Sequence, residues 1–240
     1  MGRDTLEKRV QVVGEPPVLN GAPVKDETDS ENEHEIEEEP AQDVTSAHDK
    51  ETGHEDKDDE GMEELMSAFE DDETELDLTH LRIKSTKGLN LPRFSKTLQR
   101  LNLRQNEIHQ MRGKDLGSVP HLKELDLYDN VIEHIGGLDG NEELEYVFDI
   151  YARILDLSFN NIRHVSRVTH LGRCHTLYLV QNKIARLRPT DFSGPIAVSL
   201  RSLELGGNRL RSLENLSQLT NLEELWVGKN KIASLEVRAA

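Results

Sequence analysis

Residues 122–132 read Leu122-Lys-Glu-Leu-Asp-Leu-Tyr-Asp-Asn-Val-Ile132, and the same frame of apolar residues and asparagine returns along most of the chain. Upstream it is Leu98, Leu101, Leu103, Asn106 and Ile108. Downstream it is Leu155, Leu157, Asn160 and Ile162, then Leu177, Leu179, Asn182 and Ile184, with Cys174 in the first leucine slot. Two further copies are Leu200, Leu203, Leu205, Asn208, Leu210 and Leu222, Leu225, Val227, Asn230, Ile232. A degenerate first copy holds Leu76, Leu78 and Ile83, with Leu81 in the asparagine slot. Self-similarity of this kind is the signature of a stacked repeat architecture.

Each slot has a physical task. The L-x-L alternation suits a short strand whose leucines point inward and whose middle residue points out. The asparagine ends the strand, and its amide is suited to satisfying backbone groups of neighbouring turns that would otherwise be buried unpaired. No copy can bury its apolar face alone, so the copies must stack. The asparagines are 24, 30, 22, 26 and 22 residues apart from Asn106 to Asn230. A 22-residue unit leaves little room for a helix after the strand, so the convex side should carry 3₁₀ or single-turn segments. The expected fold is an α/β solenoid: a leucine-rich-repeat horseshoe of about seven units with a concave parallel sheet. The longest spacing contains an eight-residue addition around Glu145-Tyr-Val-Phe-Asp-Ile-Tyr-Ala-Arg153, expected to bulge out before Leu155. A four-residue addition falls near Ser193-Gly-Pro-Ile-Ala-Val-Ser199, where Gly194-Pro195 marks a loop.

Charge divides the chain. Residues 1–75 hold 27 acidic and 6 basic residues, while residues 76–240 hold 19 and 23. The net charge of −17 therefore belongs to the N-terminal part, and the repeats are mildly basic. A segment this acidic and this poor in apolar residues cannot offset its ordering entropy by burial. Residues 1–73 are thus expected to be a disordered arm, and residues 74–240 the repeat domain. One stretch of the arm differs: Met62, Leu65, Met66 and Phe69 fall at i, i+3, i+4 and i+7. This is a candidate short helix over 62–69, suited to covering the open end of the first repeat or to binding a partner.

Several functions are disfavoured. A single cysteine, Cys174, allows no internal disulfide and suits a reducing compartment. No apolar run reaches the length of a membrane span, and no secretory or myristoylation signal opens the chain. The weak positive charge of the repeats does not call for nucleic acid. Asp56-Lys-Asp-Asp-Glu-Gly61 resembles the start of a calcium loop, but Ser67 at position twelve cannot supply the bidentate carboxylate. The histidines His34, His48 and His54 are too scattered for a metal site. There is no Walker loop, no nucleophile elbow, no HExxH and no paired Cys/His spacing. The expectation is a protein-binding chain that is not an enzyme, with no cofactor, metal or small-molecule substrate.

The strand alternation nominates the binding face. The residues between paired leucines are Asp77, Asn102, Asp126, Asp156, Tyr178, Glu204 and Trp226. Exposed Tyr and Trp on a rigid surface are typical interface anchors, and Trp226 is the chain's only tryptophan. The candidate protein-binding residues are Asn102, Asp126, Asp156, Tyr178, Glu204 and Trp226.

The fillings between the leucines, such as Leu125-Asp-Leu-Tyr-Asp-Asn130, Leu155-Asp-Leu-Ser-Phe-Asn160, Leu203-Glu-Leu-Gly-Gly-Asn208 and Val227-Gly-Lys-Asn-Lys-Ile232, closely resemble the regulatory-subunit-7 family of protein phosphatase 1 regulators. The resemblance covers about residues 74–235, and an acidic arm before the repeats also fits that family. It implies a non-catalytic subunit that binds the phosphatase 1 catalytic subunit through the concave face and modulates its activity, in nucleus and cytoplasm. It also implies that Asp156, Tyr178, Glu204 and Trp226 match the family's concave acidic and aromatic contacts. The alternative is an assembly scaffold for a ribonucleoprotein, cytoskeletal or ciliary complex. The linear docking motif of phosphatase 1 is only approached, by Arg9-Val-Gln-Val12, so docking is expected to rely on the concave face. With Ala240 falling in the seventh copy, a C-terminally truncated or divergent form is expected. The outer edge of its last strand should then be unpaired and prone to fraying and self-association.

Overall fold

The computed structural model describes residues 11–13, 59–136, 138 and 153–233. The strands are β1 (Gln11–Val13), β2 (Glu75–Asp77), β3 (Arg100–Asn102), β4 (Glu124–Asp126), β5 (Ile154–Asp156), β6 (Thr176–Tyr178), β7 (Ser202–Glu204) and β8 (Glu224–Trp226). They form one parallel sheet in the order β1-β8-β7-β6-β5-β4-β3-β2. From β2 to β8 this is sequence order, one strand per repeat, as the periodicity requires. The fold is a leucine-rich-repeat solenoid.

The registers place each middle leucine beside the next. Leu76, Leu101, Leu125, Leu155, Leu177, Leu203 and Leu225 make one continuous row. All are buried, with the isoleucines of the frame, Ile83, Ile108, Ile132, Ile162 and Ile184, and with Phe94 and Phe192 filling the space behind the sheet. A second row binds the strands beyond their ends. Leu78, Leu103, Leu127, Leu157, Leu179 and Leu205 each donate their N–H to the carbonyl of Asn102, Asp126, Asp156, Tyr178, Glu204 and Trp226 in turn, at 2.7–2.9 Å.

The asparagines do what their slot demands. Asn160 donates through Nδ2 to the carbonyls of Leu127 and Leu157, and its Oδ1 accepts from Ile132 N–H at 2.9 Å. Asn130, Asn182, Asn208 and Asn230 repeat the pattern on Ile108, Ile162, Ile184 and Leu210. The residue before each asparagine (Gln105, Asp129, Phe159, Gln181, Gly207 and Lys229) has positive φ, the sharp turn that aims the amide inward. Leu81, read as the first occupant of this slot, is instead 40% exposed. The slot serves the amides of the preceding repeat. Asn106 of the second copy takes the Leu81 and Ile83 N–H groups.

The convex side carries short turns of helix, as the tight period implies: 3₁₀ segments at Thr86–Leu89 and Leu91–Phe94, and single turns α2 (Gly113–Leu116) and α3 (Ile196–Ser199). The four-residue addition is absorbed by α3 and by Gly194 at φ +74°. The bulk of the eight-residue addition lies outside the described residues.

Two findings concern the arm. Helix α1 (Asp59–Ser67) starts earlier and stops sooner than the apolar spacing suggested. Its far end is closed by Arg93, whose guanidinium donates to the Met66 and Phe69 carbonyls at 2.9 Å and pairs with Asp71. Met66 is buried in the core, and Met62, Leu65 and Phe69 pack against it, so α1 covers the first repeat. The second finding is a correction. The outer edge of β8, expected to be unpaired, is paired with β1, in the register Gln11 with Glu224, Val12 with Leu225 and Val13 with Trp226. The alternating apolar run at 10–13 was read only against a docking motif, and its fitness as a strand was missed.

Candidate functional site

The six nominated residues come together as neighbours in one register line: Asn102, Asp126, Asp156, Tyr178, Glu204, Trp226. Asp77 extends the line at the other end. Each occupies the third position of its strand, where alternation turns it away from the leucine core, and all six are half-buried by their neighbours. Their carboxylate and amide oxygens also shape the turns that follow. Asn102, Asp126 and Asp156 accept from the N–H two residues on, at 3.1, 3.0 and 2.9 Å. That second task fixes their side chains before any partner arrives.

The electrostatics are lopsided. Arg104 sits 3.0 Å from Asp126 and lies over the Tyr128 ring at 4.0 Å. It therefore compensates the β3–β4 end. Beyond it, Asp156 is pushed up to about 6, first by burial and then by the Asp126 charge, against the hydrogen bonds from Ser158. Glu204 rises to about 7, again first by burial, then by Asp156 and Glu224. The Tyr178 hydroxyl between them is raised by burial and by Glu204, Asp156 and Glu224. Asp156 and Glu204, both reluctant to ionise and interleaved with Tyr178 and Trp226, make a surface that gains from a cationic contact.

Sequence reasoning missed two neighbours of this line. Tyr128 and Phe159 pack at 4.8 Å between ring centroids, beside Arg104, and Phe159 is 40% exposed. Both stand in the turn after the strand, Tyr128 two residues and Phe159 one residue before the asparagine, and the signal was that each is the one aromatic residue in its slot from Asn106 to Asn230. Also missed was a depression of about 320 Å³ lined by Lys96, Gln99, His121, Lys123, Arg153 and Arg173. Its lining residues precede β3 to β6 in sequence, and four of the six are basic. Among the described residues no cluster of His, Cys, Asp and Glu is arranged to hold a metal, and no helix is long and apolar enough to cross a membrane. Cys174 is buried in its leucine slot, and burial pushes its thiol up to about 12.

Comparison with known proteins agrees with the repeat reading. A family model described as Leucine Rich repeats (2 copies) matches residues 198–239. The chain is 40% identical over 110 residues to the protein phosphatase 1 regulatory subunit SDS22 of Saccharomyces cerevisiae, covering 45% of this chain and 30% of that protein. It is 30% identical over 148 residues to the protein phosphatase 1 regulatory inhibitor subunit PPP1R7 homolog of Arabidopsis thaliana, covering 59% of this chain and 40% of that protein. Over these stretches the repeats are similar to those of two proteins named as phosphatase 1 regulatory subunits. The chain spans 30% of the length of the first of these relatives and 40% of the second. Both relatives are named as regulatory subunits. Among solved structures, an internalin (inlF) from Listeria monocytogenes is 20% identical with a TM-score of 0.50, covering 74% of this chain and 57% of that one. That likeness concerns the solenoid alone.

Proposed function

We propose that this chain binds the catalytic subunit of protein phosphatase 1 through the concave line Asn102, Asp126, Asp156, Tyr178, Glu204 and Trp226, and modulates its activity without chemistry of its own. The observation that carries the reading is the continuous acidic and aromatic line on a rigid sheet, in repeats related to phosphatase 1 regulatory subunits. The partner surface it fits is basic with apolar pockets. A lysine or arginine brought between Asp156 and Glu204 would stabilise their ionised forms, and Tyr178 and Trp226 would supply the desolvated anchors. The proposed setting is the nucleus and cytoplasm.

Binding of purified catalytic subunit by calorimetry tests this. Tyr178→Ala and Trp226→Ala should each weaken binding by about 2 kcal/mol, roughly thirtyfold, as hot-spot truncations do. The melting of the repeats should barely move, because these side chains stand outside the leucine core. Wild-type affinity in both variants would remove the concave line from the interface. Failure of the wild-type chain to bind at all, with a different protein captured from cells, would favour an assembly scaffold.

A further inference from the structure

The pairing of β1 with β8 is a second interaction surface, along the strand edge that adjoins the Trp226 end of the concave line. We propose that the outer edge of β8 is a strand-accepting site and that residues 11–13 are its resident ligand, docked in the place where another repeat's strand would stack. The register carries the argument. Along the solenoid each strand sits beside the next with its middle residue opposite the neighbouring leucine, and β1 sets Val12 opposite Leu225 in the same parallel sense. A parallel partner drawn from a distant, acidic part of the chain, yet in repeat register, continues the ladder rather than merely leaning on it.

Chemistry selects the segment. Val10-Gln-Val-Val13 is the β-branched run of the N-terminal twenty residues, flanked by Lys8 and Arg9 before it and Gly14 after it. Such residues favour extended backbone. The edge gains from being covered, since exposed sheet edges pair with other chains, and the core is less sealed here. Leu222, Leu225 and Val227 are 5–7% exposed, where the equivalent residues of inner repeats are 0–1%. Reach is ample. Residues 14–58 number 45, and strands about 4.8 Å apart put β2 and β8 only about 30 Å from each other. Because both ends of that span are attached to the repeats, the pairing is intramolecular, with an effective concentration on the order of a millimolar. Three residues of ladder make a short contact, so an extended segment of similar β-branched character could replace it.

The ladder names the reporter. The residue that follows each strand donates its N–H to the third residue of the next, as Leu205 does to Trp226. Carried one strand further in the register of β1, the same pattern would make Val227 the donor and Val13 the acceptor. Amide exchange measured residue by residue on the full chain therefore tests the proposal, with Val13→Pro as the variant, because proline has no N–H and is disfavoured inside a ladder. Ser30→Pro serves as the control. Exchange at Val227 should rise tenfold or more in Val13→Pro and stay unchanged in Ser30→Pro, while Leu179 and Leu205 keep their protection in both. A synthetic peptide of residues 7–16 at millimolar concentration should restore slow exchange at Val227 in Val13→Pro. Unchanged exchange at Val227 in Val13→Pro would overturn the pairing, and failure of the peptide to restore it would overturn the strand-accepting site. Sedimentation should find the wild-type chain monomeric. A wild-type dimer that dissociates in Val13→Pro would assign the strand to a second copy's edge and overturn the in-chain docking.

Discussion

Glu204 shows how one residue can serve the fold badly and a partner well. Its carboxyl is held at about 7 by burial and by the charges of Asp156 and Glu224, well above an unfolded carboxyl. A folded-state value raised in this way means that the native chain binds more protons than the unfolded one between the two values. Stability contributed by protonated Glu204 is therefore present at low pH and lost as pH rises towards 7. Asp156, at about 6, adds a second contribution of the same sign over a lower range. Replacing Glu204 by Gln should raise the melting temperature at pH 7.5 and flatten its slope between about pH 5 and 7. A Glu204→Gln chain whose melting keeps the wild-type pH slope would place that slope elsewhere. The same substitution should weaken a cationic partner, so that stability and binding move in opposite directions.

At the scale of an element, α1 is held by few but specific contacts. Met66 is sealed into the first repeat, and Arg93 closes the helix end with two carbonyl hydrogen bonds and an ion pair to the exposed Asp71. The ion pair is largely solvent-facing and contributes little. The carbonyl bonds and the buried methionine matter more. Met66→Ala should therefore cost about 2–3 kcal/mol in chemical denaturation, the lower part of the range for a large-to-small core change. Arg93→Ala should cost about 1–2 kcal/mol by leaving two carbonyls short of a donor, and Asp71→Ala much less. Equal losses for Asp71→Ala and Arg93→Ala would mean that the ion pair, not the carbonyl bonds, anchors the helix.

For the whole molecule, stability is a sum over repeats and the interfaces between them. Leu157 lies in the middle, with repeats on both sides and no exposure, whereas Leu225 at the last described repeat is 5% exposed. Leu157→Ala should cost about 3–5 kcal/mol, and Leu225→Ala less, nearer 2 kcal/mol, because its site can relax towards the edge. Denaturation of the two variants with the same probe would show this, and equal costs would mean that the end of the solenoid is as tightly sealed as its centre.

The sequence by itself was enough to give the solenoid, its repeat frame, the short convex turns and the line of concave residues. Each follows from a local rule repeated many times: alternation decides which side a strand residue faces, and a fixed period decides which residues become neighbours. The asparagine slot implies an amide that satisfies backbone groups of neighbouring turns, as Asn160 does for Ile132, Leu127 and Leu157. What the periodic frame does not encode only the tertiary structure decided. The raised carboxyls of Asp156 and Glu204 depend on burial and charge summed over three strands. The stacking of Arg104, Tyr128 and Phe159 joins three successive repeats through turn positions that no periodic rule constrains. Leu81 escaped its slot because the slot's purpose lies in the repeat before it. The docking of residues 11–13 on β8 joins segments more than two hundred residues apart. No local propensity announces such a pairing, because it exists only once the repeats have stacked and left an edge to be matched.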